Sequence, residues 1–126
     1  MNRKIEFICD YINRKNYNYN DLLNCKFYDL IGVENEATFT IKIGNEVFFS
    51  TEGFNILEFL QQIAKWEIRR DDMIYNCIDT EDNPLISFIE EDGLYKVNSA
   101  WQEFECKDKF SFEDLISVKE ILETQA

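Results

Sequence analysis

The sequence predicts an α+β fold, a single domain over residues 1–126 with an antiparallel meander sheet and two main helices packed on one face. Three observations predict it. Residues 37–43 and the runs between 73 and 99 carry strand patterns closed by the turn pairs Gly44-Asn45 and Asp92-Gly93. Residues 55–68 and the stretch after Ser111 place apolar side chains at helical spacing. Long connections of the kind that parallel strands require are few, which favours antiparallel strands with the helices on one face. At 126 residues and 45% hydrophobic content the chain has the size and apolar supply for one core.

The elements follow in order. In residues 4–12, Ile5, Phe7 and Cys9 alternate with Glu6, Ile8 and Asp10, and we read a strand; Ile5, Ile8, Cys9 and Ile12 also fit a helix. Asn16 to Asp21 is a polar stretch read as a loop, since Asn and Asp bond their own backbone in turns. Ala37, Phe39, Ile41 and Ile43 alternate with Thr38, Thr40 and Lys42, the period of a half-buried strand. Val47-Phe48-Phe49 returns after the turn, and its two apolar faces suggest a strand inside the sheet. Asn55-Ile56-Leu57-Glu58 has the form of a capping box and opens a helix over 55–68. Strands are expected at 73–78, 85–90, 94–99 and 101–106. The Asp92-Gly93 turn sets Phe88 opposite Val97 and Ile86 opposite Ser99, with Tyr95 and Trp101 on the same face. Ser111 caps a last helix with Phe112, Leu115, Ile116, Val118 and Leu122 as its buried stripe.

The totals exclude several functions. With 25 acidic and 13 basic residues the net charge is −12, which repels phosphate backbones and anionic lipid. Nucleic acid and membranes are therefore not expected partners. The longest apolar runs fall far short of the roughly 20 residues needed to span a bilayer, and Glu6 and Asp10 interrupt any leader-like stretch, so a cytoplasmic protein is expected. The chain has no histidine, which removes the usual base near neutral pH and the Ser–His and Cys–His nucleophile pairs. No phosphate-binding or dinucleotide glycine loop occurs. Cys9, Cys25, Cys77 and Cys106 show no paired spacing and are expected to be reduced thiols without metal. Asp79, Glu81, Asn83 and Glu90 fall at positions 1, 3, 5 and 12 of a calcium-loop register, but Pro84 stands where a sharply turning glycine is needed. That spacing is read as a turn, and no catalytic residue, metal or cofactor is expected. Trp66 and Trp101 are read first as core aromatics, with an exposed binding role as the alternative.

The carboxylates at strand ends stand out. Asp71-Asp72 and Glu90-Glu91-Asp92 are expected to share one end of the meander, with 79–82 at the other. Solvated turns explain such residues simply; the sharper reading is that Asp71, Asp72, Glu90, Glu91 and Asp92 form an acidic rim that complements a basic protein.

The succession Glu46-Val47-Phe48-Phe49-Ser50, Glu58-Phe59-Leu60, Lys65-Trp66, Tyr75, Asn83-Pro84-Leu85-Ile86 and Tyr95 to Gln102 resembles small acidic bacterial proteins regarded as immunity proteins of polymorphic toxin systems. The resemblance covers most of residues 36–122 and carries no active site. It implies a cytosolic inhibitor that binds one cognate toxin, often a basic nuclease. Two readings stand on the sequence: a protein-binding module of that kind, and a small-ligand domain or enzyme using carboxylates or the aromatic sheet face. The missing histidine and absent motifs favour the first.

Overall fold

The computed structural model describes residues 3–11, 36–77 and 80–125. The loop expected over 16–21, Cys25, and residues 78 and 79 lie outside them.

Among the described residues the strands pair antiparallel and divide into two sheets. The first holds β1 (Ile5–Tyr11), β2 (Glu36–Ile43) and β3 (Glu46–Asn55) in that order. The second holds β4 (Met73–Tyr75), β5 (Ile86–Glu91), β6 (Leu94–Ser99) and β7 (Lys109–Phe110). Among the described residues the helices are α1 (Ile56–Arg69), between the sheets in sequence, and α2 (Phe112–Gln125). The fold is α+β, and its meander is split in two at α1.

β1 is a strand, paired in register with β2 from Ile5–Ile43 to Tyr11–Ala37. Alternation drives it: Ile5 and Phe7 bury while Lys4 and Ile8 face out. β3 differs from the expectation of an interior strand, because it lies at the edge of its sheet. Its ladder runs Ile41–Phe49 and then Lys42–Val47, so Phe48 is an extra residue, a bulge. The bulge breaks the alternation, and Phe48 and Phe49 are both fully buried. The segment after β6 covers this edge: Glu103 N donates to Phe48 O at 2.8 Å and the Phe104 ring meets Phe48 edge-on. Consequently 101–106 is not a strand; it is irregular chain that crosses to the first sheet, and the last strand is β7, beside β6.

β4 is shorter than the expected 73–78 and ends at Tyr75, where Leu85 N donates back to Tyr75 O at 2.9 Å. The β5–β6 register is the expected one, Phe88 opposite Val97 and Ile86 opposite Ser99, set by positive φ at Asp92 and Gly93. Phe88, Val97 and Tyr95 share the buried face, but Trp101 does not join them. It stands beyond the strand, 38% exposed.

α1 welds the sheets. Asn55 Oδ1 accepts from Glu58 N at 3.1 Å, the expected cap. Phe59 meets Phe7, Phe39 and Phe54 of the first sheet and Tyr75 of the second, all within 6 Å between ring centres. Trp66, fully buried, meets Phe88, Tyr95 and Phe112. Each such pair adds about 0.5–1.5 kcal/mol beyond area burial, so this aromatic core is worth several ordinary contacts. Ser111 Oγ accepts from Asp114 N at 3.0 Å to start α2, whose Leu115, Val118 and Leu122 bury against the core. Lys119 Nζ reaches Glu67 at 2.9 Å and ties α2 to α1.

Candidate functional site

The end of α1 builds the acidic rim. The helix stops where Arg70 takes a left-handed conformation (φ 59°) and its N–H donates to Trp66 O. The next turn is pinned from below, since Trp66 Nε1 donates to Asp71 O and Tyr95 Oη donates to Arg70 O at 3.0 Å. Asp72 then reaches across to the β5–β6 hairpin, where its Oδ1 accepts from Glu90 N at 2.8 Å. Glu90 Oε1 in turn accepts from Gly93 N at 2.7 Å. Thus Asp71-Asp72 and Glu90-Glu91-Asp92 do share one end of the second sheet, and all five side chains are exposed.

Their charges are partly answered. Asp71 pairs with Arg69 at 3.1 Å and Glu91 with Lys109 at 3.2 Å. Such exposed pairs contribute little to stability, about 0–1 kcal/mol each. Between the turn and the hairpin opens a cleft of about 540 Å³ lined by Arg70, Asp71, Asp72, Glu90, Gly93, Tyr95 and Phe112. The Arg70 guanidinium lies 4.3 Å over the Phe112 ring, so a cation already sits in the wall of this cleft. Arg70, Tyr95 and Phe112 were not singled out for this site by the sequence. Only the packing of α2 and β6 beside the end of α1 brings them there.

The acidic stretch at the other end of β5 is separate. Asp82 Oδ2 accepts from Trp101 Nε1 at 2.8 Å, and the indole stacks parallel on Phe49 at 6.3 Å. Asn83 is spent on its own turn: Oδ1 accepts from Cys77 N, and Nδ2 donates to Cys77 O and Thr80 O. Asn83 precedes β5 and Glu90 lies near its far end, so the calcium-loop spacing leaves these two almost a strand's length apart. Among the described residues no group of three or more Cys, Asp or Glu side chains converges as a metal site would require.

Two features lie elsewhere. A second cleft of about 490 Å³ runs between β1 and α2, with Ile5, Phe7, Ile8, Val118 and Ile121 among its walls. Polar side chains also enter the core at the start of α1: Asn55, Glu58 and Gln61 are buried, and Tyr75 lies beside Glu58. Cys77 and Cys106 are buried thiols outside any disulfide, and burial pushes the Cys106 thiol above its ordinary range. Among the described residues no helix is long and apolar enough to cross a membrane.

A family model described as "Domain of unknown function (DUF7878)" matches residues 6–125. The chain belongs to the DUF7878 family. No curated protein and no solved structure matches it. The DUF7878 match covers the two sheets and two helices of the described residues, so the acidic end and the aromatic core fall inside the family's domain.

Proposed function

We propose that this DUF7878 member is a non-catalytic protein-binding module, an immunity-type inhibitor that neutralises a basic toxin domain in the cytoplasm. The observation that carries the reading is the set Asp71, Asp72, Glu90, Glu91 and Asp92, exposed together and held at one end of the second sheet by the Asp72–Glu90 bond. The net charge of −12 supplies a field that draws a basic surface towards that end. The thiols of Cys77 and Cys106, outside disulfides, suit a reducing compartment.

The product of the adjacent reading frame is the partner to test. Co-expression should protect cells from it, and stopped-flow association of the two proteins should slow as salt rises while dissociation changes less. Replacing the rim carboxylates together by Asn and Gln should lower the association rate roughly tenfold or more and flatten its salt dependence. Association indifferent to salt and to those substitutions would remove the rim from the mechanism; absence of protection and of binding would remove the immunity reading itself.

A further inference from the structure

We infer that the open edge of β1 accepts an extended segment of a protein partner as an added strand, seated in the cleft between β1 and α2. This rests on the binding-module reading and supplies a contact that charge alone does not.

The backbone of β1 decides which groups face the cleft. Gly44 N donates to Lys4 O at 2.7 Å, so this pair, next to Ile5–Ile43 in the register, is hydrogen-bonded. Bonded and non-bonded pairs alternate along an antiparallel ladder. The register then directs the N–H and C=O groups of Glu6 and Ile8 to β2, and those of Ile5 and Phe7 to the opposite side. β1 is the outer strand of its sheet, and among the described residues no strand or side chain pairs with the Ile5 and Phe7 backbone. Both residues are nevertheless buried, at 4% and 3% exposure. Backbone groups in such surroundings are nearly always paired. Two residues along a strand span about 6.6 Å, and another extended backbone presents donors and acceptors at the same repeat.

The other sheet edges are closed to a guest. β3 carries the Phe48 bulge and is covered by Glu103 and Phe104. β4 and β7, at the two sides of the second sheet, are three and two residues long. Bulges, covering segments and short edge strands are the usual ways a sheet avoids added strands. Among the described residues β1 has none of them: its seven residues pair in unbroken register with β2, and a cleft of about 490 Å³ runs along it.

The cleft selects the guest's side chains. α2 lends Ser117, Val118 and Ile121 along one stripe, and Ile121 is 55% exposed although it is aliphatic. On an added strand, one alternating set of side chains would meet this apolar wall, and the other would lie beside Glu6 and Ile8 on the outer face. The net charge of −12 favours lysine or arginine in that second set, and it disfavours a second copy of this chain as the guest.

The test titrates two short end-blocked peptides, both alternating Val and Lys, into the isotopically labelled full chain; the second is N-methylated at every residue and cannot donate. The first should bind about tenfold more tightly, shift the Ile5 and Phe7 amides and slow their hydrogen exchange. Ile121→Gln keeps helix propensity and should weaken that binding severalfold. Equal binding of the two peptides, with shifts at Asp71, Asp72 and Glu90, overturns the added strand and leaves the acidic rim standing. Binding of neither peptide, or shifts centred elsewhere, also overturns the edge site; the rim is then judged by the salt dependence of association with the toxin domain. Ile5 and Phe7 amides that already exchange slowly in the free chain would show an edge already paired. A dimer in sedimentation that the peptide disperses would make a second copy the guest. Each of these overturns the proposal. Because the shift map is taken on the unsubstituted chain, it decides the matter even where the variant folds poorly.

Discussion

Tyr75 illustrates how a single buried group sets a pH limit. Its ring is fully buried against Phe54 and Phe59, and its hydroxyl lies beside the Cys77 and Glu58 side chains. Burial first, then the nearby Cys77 and Glu58 side chains, push its ionisation well above the ordinary value of about 10. Up to about pH 10 the hydroxyl is protonated in both folded and unfolded chains, and its contribution to stability is fully present. As pH rises further the unfolded chain releases that proton and the native chain does not, so stability falls. Tyr75→Phe should therefore flatten the alkaline loss of stability in urea denaturation followed from neutral pH to about pH 11. An unchanged alkaline slope would show that other groups govern it.

The two hairpins separate conformational strain from crowding at the level of elements. Gly44 and Gly93 both hold positive φ, where an L side chain costs about 1–2 kcal/mol. A Cβ on Gly93 would meet open space. On Gly44 it would come 3.1 Å from Arg3 Cδ, and that side chain is held by Asp108 at 2.9 Å. Gly44→Ala should consequently destabilise by more than Gly93→Ala, by about 0.5–1 kcal/mol on the scale of a displaced, hydrogen-bonded surface side chain. Chemical denaturation of the two variants makes the comparison. Equal losses would show that Arg3 moves aside without cost.

Across the whole molecule, an aromatic core of opposite-sheet contacts works against the repulsion of a net acidic charge. Phe7 of the first sheet stacks on Phe88 of the second at 6.3 Å, and α1 bridges both. The net charge of −12 opposes that compact state by self-repulsion. Sodium chloride shortens the screening length from about 10 Å at 0.1 M to about 3 Å at 1 M. The thermal midpoint should rise by roughly 3–6 °C over that range, equivalent to about 1 kcal/mol for a domain of this size. A falling midpoint would mean that attractive pairs such as Arg3–Asp108 and Lys119–Glu67 outweigh the repulsion.

What the sequence by itself determined is what neighbours along the chain decide. Alternation placed β1, β2, β5 and β6, because side chains on a pleated strand have no other way to sort between core and water. Asn55 and Ser111 marked the helix starts, since a cap needs only the next three residues. Asp92-Gly93 set the register that carries Glu90, Glu91 and Asp92 to one end, and that part of the acidic site was legible for the same reason. The tertiary structure decided the rest. Two apolar faces on Val47-Phe48-Phe49 are equally served by an interior strand and by a bulged edge strand under a covering segment; the covering Glu103 and Phe104 arrive from more than fifty residues away. That same crossing turned 101–106 from a strand into irregular chain and left Trp101 half exposed on Phe49. The walls of the acidic cleft followed the same rule, because Arg70, Tyr95 and Phe112 belong to three elements that only the packing of the core sets side by side.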